Sequence, residues 1–327
     1  MTTQREIEAA ARIIREGGLV AFPTETVYGL GANALDPAAV ARIFIEKERP
    51  SFDPLIVHIS SNEYLHLLCR NPDENVQKLA DAFWPGPLTI VVPKSKMVPD
   101  IVTSGLPTVA IRMPANIVAL KLIEAAGCPI AAPSANKFGR LSPTSAQHVK
   151  NQLPGIKCIL DGGSSTIGIE STVISVTPFG FEILRHGSIT RQEIEIYLPY
   201  ATSSKKEAVK PASPGFLKSH YSPTKPLYFI DNVIVGDSSR AGILSFCGKN
   251  IDGFKTVEIL SKNADLKEAA INLFGALHRL EEAEIDFIVA EPVPENGIGL
   301  AIMDRLRKAA YQYSQYSQTN LKNHLHD

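Results

Sequence analysis

The first part of the chain alternates between segments with helical spacing of apolar residues and short apolar runs. Residues 7–14 place an apolar side chain at every third or fourth position, which predicts a helix that ends at Gly17-Gly18. Asp36-Pro37 is typical of a helix start, and that helix must end before Pro50. Other segments predict strands at 19–22, 55–59, 88–92, 108–112 and 129–132 and helices at 76–83 and 117–126. This irregular alternation indicates a mixed-sheet α/β domain over residues 1–198.

A more regular pattern follows in the last hundred residues. Apolar runs predict strands at 227–230, 243–246, 256–260 and 287–290, with helices at 265–284 and 300–310. That order is typical of a small βαβ domain with a parallel sheet, which we assign to residues 226–327. Residues 199–225 are rich in Pro, Ser and Lys and predict a linker, and the polar tail beyond Tyr313 predicts a frayed end.

Charge is balanced overall but not along the chain. The 327 residues hold 33 Lys and Arg against 34 Asp and Glu, a net charge of -1 that argues against a polybasic surface for nucleic acid. Residues 203–225, however, carry five basic residues and one acidic residue, whereas the segments on either side are acidic. The basic linker therefore needs a functional explanation.

Cysteine spacing and hydropathy indicate the compartment. The four cysteines lie far apart, without zinc spacing, and are typical of thiols in a reducing compartment. The N-terminus lacks the apolar core of a signal peptide, and no apolar run is long enough to span a bilayer. We expect a soluble, cytoplasmic protein without a membrane contact.

Several common catalytic and nucleotide motifs are missing. The sequence contains no GxxxxGK[ST] loop, no GxSxG elbow and no HExxH. Residues 29–34 fit the dinucleotide pattern GxGxxA, but the preceding strand breaks at Pro23 and the next helix starts only at Asp36. A tight glycine turn is the better interpretation of Gly29 and Gly31.

Cations and hydroxyl groups stand at the ends of predicted elements. Lys47 and Arg49 close a helix, where cations are favoured by the helix dipole, but the same pair could also grip phosphates. Arg112 closes a strand and either is solvated or faces a cleft. Ser134 and Asn136 follow a strand, in an ordinary turn or as donors to a phosphate. His58, on an apolar strand, is more often a core histidine, and no position decides the function alone.

Taken in order, these segments resemble the threonylcarbamoyl-AMP synthase family in its long form. The matching segments are FPTETVYGLGANA, KERPSFDPLIVHI, FWPGPLT, VAIRMP, PSAN, STVI, SPGFLKSHYSP and GLAIMDRLRKAA. The resemblance implies a YrdC-like mixed-sheet α/β domain with a central cavity, followed by a smaller Rossmann-like domain. It also implies an enzyme that condenses L-threonine, bicarbonate and ATP to threonylcarbamoyl-AMP and pyrophosphate. That product would serve N6-threonylcarbamoyladenosine formation in tRNA.

The resemblance also implies residue roles. Lys47 and Arg49 would be catalytic, by stabilising the phosphate charge. L-threonine would be bound by Thr26, His58, Arg112, Ala132 and Ser171. ATP would be bound by Arg49, Asp53, Thr108, Ser134, Asn136, Ser142, Arg185 and Tyr221, the last on a linker that folds over the cavity. Many relatives carry Asn where this chain has Asp53, so that residue is either a metal ligand or a structural turn residue.

The resemblance also implies that Mg²⁺ accompanies ATP and that the protein alone holds no metal. The tRNA threonylcarbamoyl-transfer machinery would use the product. The chain itself would make at most a weak contact with tRNA. Two alternatives remain. One is an RNA-binding module without ATP turnover, which few aromatic residues among the cations support. The other is a carbamoyl-transfer maturation enzyme, which would usually carry zinc fingers that this sequence lacks. The C-terminal domain has no phosphate motif, and we expect it to act as a lid or docking domain.

Overall fold

A computed structural model describes residues 2–201, 220–232 and 238–314 of the chain. Most of the predicted linker, 202–219, and the predicted frayed end, 315–327, lie outside these ranges. The described residues form two compact units. The first consists of 2–138 and 142–201, and the second of Gly139–Leu141 with 220–232 and 238–314.

The first unit is a mixed α/β fold, as the sequence predicts. Its elements, in chain order, are α1 (Gln4–Arg15), β1 (Val20–Phe22), β2 (Gly29–Asn33), α2 (Pro37–Lys47), β3 (Ile56–His58), α3 (Asn62–Leu68), α4 (Glu74–Phe83), β4 (Leu88–Pro93), α5 (Asp100–Thr103), β5 (Thr108–Arg112), α6 (Ile117–Ala126), β6 (Ile130–Ala131), α7 (Ala146–Gln152), β7 (Thr172–Thr177), β8 (Gly180–Arg185) and α8 (Arg191–Glu195).

Local signals fix the helix starts. The Asp36 side chain accepts hydrogen bonds from the backbone N–H groups of Ala38 and Ala39, and Pro37 takes the first helical position of α2. Asn116 caps α6 in the same way, and Gly127 ends that helix in the left-handed conformation with φ of 66°. These boundaries agree with the predicted ones because the capping contacts are local in sequence.

The eight strands form one sheet in the order β1-β2-β6-β3-β5-β4-β7-β8. Strand β3 pairs in parallel with β5, and β4 with β7, whereas the other pairs are antiparallel. Because side chains alternate along a strand, Val57, Ile90 and Ile111 point into the large core on one face. A second, much smaller apolar cluster of Ile56, Val91, Ala110 and Val173 lies on the opposite face.

The interpretation of Gly29 and Gly31 as a tight turn is wrong. Both residues lie within strand β2, which pairs with β1 and β6. A Cβ atom on Gly31 would lie 2.6 Å from Cγ2 of Ile130 and 2.7 Å from Cε1 of Phe22. The glycine is therefore needed for close packing on the sheet face rather than for a turn, a requirement that no local pattern reveals.

The second unit contains β9 (Leu227–Phe229), β10 (Ala241–Ser245), β11 (Thr256–Ile259), α9 (Leu266–Glu282), β12 (Phe287–Ala290) and α10 (Gly299–Ser314). Its four strands are all parallel, in the order β11-β10-β12-β9, which confirms the predicted parallel sheet.

Three segments of the second unit that lie far apart in sequence are joined by hydrogen bonds of Ser222. Ser222 donates its backbone N–H to the carbonyl oxygen of Gly139 at 2.8 Å, and its hydroxyl donates to the carbonyl oxygen of Ala309. Arg140 pairs with Ser222 as an isolated parallel bridge. In the described residues, no helix is long and apolar enough to cross a membrane.

Candidate active site

The buried charges of the first unit are concentrated in one region. In its described part, seven Lys, Arg, Asp or Glu side chains are buried: Glu25, Lys47, Arg49, Asp53, Arg112, Glu170 and Arg185. Burying a charge is expensive unless it is paired and hydrogen-bonded. Such a concentration therefore marks a functional site rather than a source of stability.

The sheet places several of these groups on one face. Register and strand alternation put His58, Arg112 and Arg185 on the face that carries the small apolar cluster of Ile56, Val91, Ala110 and Val173. Thr89, Thr108 and Ser171 share that face. We call the apolar cluster of Ile56, Val91, Ala110 and Val173 the floor of the site.

Arg112 is held by three fixed partners. Its Nη1 donates to Oγ1 of Thr26 at 2.8 Å, and its Nε donates to the carbonyl oxygen of Gly86 at 3.1 Å. Its Nη2 lies 2.6 Å from Oε1 of Glu25. The Thr26 hydroxyl is in turn 2.8 Å from the Thr24 hydroxyl. These contacts orient the planar guanidinium, which suits recognition of a carboxylate.

His58 lies beside Arg112 as a neutral imidazole. Burial, assisted by the charge of Arg112, lowers the pKa of His58 to about 3. Its ring packs edge-on against Phe22. Nδ1 of His58 is buried and has no hydrogen-bond partner among the described residues. An unsatisfied buried nitrogen costs stability, and a ligand group could satisfy it.

Lys47 is buried at the end of α2 and ties that helix to the segment after β6. Its Nζ donates to the carbonyl oxygens of Ser134, at 2.7 Å, and Asn136. Burial and, second, the charge of Arg49 lower the pKa of Lys47 well below its usual value. A bound anion would act in the opposite direction.

Arg49 and Asp53 form a buried ion pair. Nη2 of Arg49 lies 2.8 Å from Oδ2 of Asp53, and the guanidinium also donates to the carbonyl oxygens of Asp53 and Pro54. Burial raises the pKa of Asp53, while the charges of Arg49, Lys47 and Arg185 act against that rise. Because the charge of Arg185 affects the pKa of Asp53, the segment after α2 lies close to the sheet face that carries Arg185.

A third group of contacts surrounds the start of β7. Arg185 donates through Nε to the carbonyl oxygen of Ser171 at 3.1 Å and through Nη2 to its hydroxyl at 3.0 Å. That hydroxyl is also 2.8 Å from the hydroxyl of Thr89. The buried Ser142 hydroxyl donates to the Glu170 carboxylate.

Most of the predicted site residues therefore contact one another or share the same sheet face. Ala132 donates its backbone N–H to the carbonyl oxygen of Ile56, a residue of the floor, and Thr108 starts β5 half-buried. Tyr221 belongs to the second unit, where it is buried with its ring centroid 5.7 Å from that of Phe274 and 5.4 Å from Cζ of Arg305. Its role toward ATP stays a prediction.

Sequence reasoning assigns no role to two buried carboxylates, Glu25 and Glu170. Glu25 stands between Thr24 and Thr26, and Glu170 stands between Ile169 and Ser171. A charged residue inside a stretch of otherwise buried side chains is the one local signal that could have identified them. Their partners, Arg112 and Ser142, are distant in sequence.

The described residues offer no group of three or more His, Cys, Asp or Glu side chains that could hold a metal ion. No hydrogen-bonded pair of a nucleophile and a histidine base occurs among the site contacts described above. The arrangement instead offers fixed positive charge and oriented donors, which serve phosphate and carboxylate recognition.

Comparisons with known proteins cover nearly the whole chain. Residues 12–187 match a family described as "Telomere recombination", and residues 189–311 match one described as "Threonylcarbamoyl-AMP synthase, C-terminal domain". The threonylcarbamoyl-AMP synthase of Pyrococcus abyssi is 46% identical over 323 residues, or 93% of this chain and 94% of that protein. The protein of the same name from Bacillus subtilis is 44% identical over 328 residues, covering 94% of each chain.

A solved structure has the same fold. The crystal structure of P. abyssi Sua5 complexed with L-threonine superimposes with a TM-score of 0.84 at 45% identity, and the match covers 94% of this chain and 95% of that one.

Proposed function

The chain belongs to the threonylcarbamoyl-AMP synthase family, and on that premise we propose how its first unit recognises its substrates. Its activity is that of an L-threonylcarbamoyladenylate synthase, a nucleotidyltransferase. The observation that carries the proposal is the concentration of the first unit's buried charges around one sheet face. Four of these side chains are cations and three are carboxylates.

The amino-acid substrate, L-threonine, binds beside Arg112. The oriented guanidinium takes the substrate carboxylate, and the Thr26 hydroxyl lies next to it at 2.8 Å. Nδ1 of His58, which has no partner among the described residues, can form a hydrogen bond with a polar group of the substrate. Ala132 and Ser171 complete this subsite. A relative of this chain was crystallised with L-threonine, which supports the assignment.

ATP binds where the other cations lie. Lys47 and Arg49 face the phosphates, and Arg185, Ser142, Ser134 and Asn136 hold the rest of the nucleotide. An anionic ligand acts against the burial and the repulsion by Arg49 that lower the pKa of Lys47. Asp53 braces Arg49 through the ion pair, a structural role that fits its short contact better than direct metal binding.

Magnesium arrives with the nucleotide. A Mg²⁺ ion commonly takes its ligands from substrate phosphates and waters with one or two carboxylates. When bound, it would supply positive charge for the leaving pyrophosphate. Glu170 is the buried carboxylate that would contact it, because Asp53 is already paired with Arg49.

The chemistry needs positioning rather than a protein nucleophile. The threonine nitrogen and bicarbonate give a carbamate, whose oxygen attacks the α-phosphate of ATP while pyrophosphate leaves. Lys47 and Arg49 stabilise the charge that develops on the phosphate, and the apolar floor keeps water from the carbamate.

The decisive test is exchange of labelled pyrophosphate into ATP by the purified chain. We expect exchange only when both L-threonine and bicarbonate are present. Exchange with threonine in bicarbonate-free buffer would indicate ordinary amino-acid adenylation and would refute the proposed carbamate.

The product is consumed by a tRNA threonylcarbamoyl-transfer step, and a cytoplasmic location agrees with the four free cysteines. The relatives' activity supports synthesis and not the alternative of an RNA-binding module without ATP turnover.

A further inference from the structure

Glu25 is a buried carboxylate that the contacts of the first unit leave half satisfied. It lies on the segment between β1 and β2 and is 7% exposed. Arg112 pairs with Oε1 at 2.6 Å. Both oxygens are buried without a hydrogen-bond partner among the described residues, and Oε2 has no ion-pair partner either.

Such an arrangement is costly for the protein by itself. A buried ionised carboxylate needs several donors, and a single cation does not satisfy all its lone pairs. Asp53 also has one arginine, Arg49, on one oxygen, but its second oxygen is not among the buried atoms without a partner, and Glu170 accepts the Ser142 hydroxyl. Among these three carboxylates, Glu25 combines a buried position, an unpaired oxygen and direct contact with the predicted carboxylate-binding arginine.

Resting on the proposed function, we propose that Glu25 binds the α-ammonium group of the amino-acid substrate and accepts its proton. Arg112 and Glu25 place a positive and a negative group side by side, which is the complement of an amino-acid zwitterion. The substrate carboxylate pairs with Arg112, and the substrate ammonium donates to Oε2 of Glu25. Each protein charge then gains a second partner of opposite sign.

The reaction releases one proton from the substrate ammonium, and Glu25 is placed to accept it. The ammonium gives one proton to the Glu25 carboxylate, which leaves a neutral amine with a free electron pair. That pair forms the C–N bond to the carbon of bicarbonate. The hydroxyl group of bicarbonate leaves with the second amine proton as water, and the product is the carbamate anion. Glu25 returns its proton to solvent when the site opens, so that one proton is released for each carbamate formed.

The test compares binding of L-threonine with that of 2,3-dihydroxybutanoate, in which a hydroxyl replaces the amino group. Calorimetry on the full chain measures both, and pyrophosphate release gives KM and kcat. For Glu25→Gln we expect threonine affinity to fall by about 10- to 100-fold, the range of a lost charged hydrogen bond, while analogue affinity changes less than about threefold. Because Gln cannot accept the proton, kcat should fall by about 100-fold or more.

Two further variants keep the test decisive. Glu25→Asp retains the charge and should retain the preference for threonine over the analogue, which covers the case in which Glu25→Gln does not fold. Glu182→Gln makes the same chemical change at a half-buried position of β8 and should keep the threonine affinity and kcat of the wild type.

Equal losses for threonine and analogue in Glu25→Gln, or loss of the preference in Glu25→Asp, would overturn the proposal and leave Glu25 a structural residue. Unchanged threonine binding in Glu25→Gln would overturn it as well. A wild-type chain that neither binds threonine nor releases pyrophosphate would instead refute the proposed function itself.

Discussion

Nζ of Lys47 donates a hydrogen bond of 2.7 Å to the carbonyl oxygen of Ser134, a residue 87 positions further along the chain. A second hydrogen bond goes from the same nitrogen to the carbonyl oxygen of Asn136. An ammonium group has three N–H donors, and the two carbonyls use two of them. Lys47 thus fixes the segment after β6 and keeps one N–H donor for a ligand.

We expect Lys47→Met to lose activity and some stability. The variant keeps most of the side-chain volume but removes the two hydrogen bonds that the carbonyl oxygens of Ser134 and Asn136 accept, and a hydrogen bond lost at a buried group costs about 1 to 3 kcal/mol. The rate of pyrophosphate release should fall by about 100-fold or more, because loss of one buried charged contact costs about 2 to 5 kcal/mol. Thermal unfolding should occur a few degrees below the wild-type temperature, so activity is compared where both proteins are folded.

The matched control for this variant is Lys137→Met. Lys137 is a partly exposed neighbour that pairs with the exposed Glu48, and it should retain near-wild-type turnover. Equal activity in the two variants would remove Lys47 from the catalytic assignment.

Arg112→Gln should affect threonine far more than ATP. The variant loses the fixed guanidinium that faces Thr26 and Glu25, so the KM for threonine should rise by about 100-fold, while ATP binding measured by calorimetry changes only a few-fold. Arg191→Gln removes an arginine from an exposed ion pair with Glu195 and should behave as wild type. A parallel loss of ATP affinity would place Arg112 with the nucleotide instead.

The stability of the protein should depend on His58 below neutral pH. The pKa of His58 is about 3 in the folded state, against 6.5 for an ordinary exposed histidine, so the unfolded chain binds more protons between these values. Stability is therefore lost as the pH falls through that window. From pH 7 to pH 5 the His58 contribution to the free energy of unfolding should fall by about 2 kcal/mol.

Urea unfolding of the wild type and of His58→Gln at the two pH values isolates this contribution from that of the carboxylates. The variant should lose less stability between pH 7 and pH 5. The same loss in both proteins would mean that His58 does not remain neutral in the folded state.

Two glycine substitutions should change stability in opposite directions. Gly31→Ala places a Cβ 2.6 Å from Cγ2 of Ile130 and should destabilise the first unit by about 1 to 3 kcal/mol. Gly275→Ala, within α9, meets no atom closer than 3.5 Å and should stabilise by about 0.5 to 1 kcal/mol. Denaturant unfolding would measure both, and equal tolerance at the two positions would contradict the close packing assigned to β2.

The sequence predicts the elements whose signals are local. Asp36, Asn116 and Asp265 each cap a helix with their own side chain, and these helices begin where the pattern places them. The pattern does not predict short helices such as α3 and α7, because seven residues carry too little periodicity to stand out. It also misses the strand at Gly29–Asn33, because packing against Phe22 and Ile130 overrides the usual preference of glycine for turns.

The site is predictable in its cations and not in its carboxylates. Lys47, Arg49 and Arg112 end their elements, and the family resemblance gives them weight. The pairing of Arg112 with Glu25 depends on sheet order, which brings distant segments together and leaves no mark in a single sequence. The same holds for Glu170 and Ser142.

The path of the chain through its second unit limits how the protein can be divided. Gly139–Leu141 belongs to that unit although it lies far upstream, and Ser222 donates its backbone N–H to Gly139. A chain cut after residue 198 would keep Gly139–Leu141 but lose Ser222, so its loss of activity would reflect a disturbed segment of the remaining chain as well as the missing domain. A chimera that takes its second unit from a relative would therefore need to inherit the Gly139–Leu141 segment from the same parent.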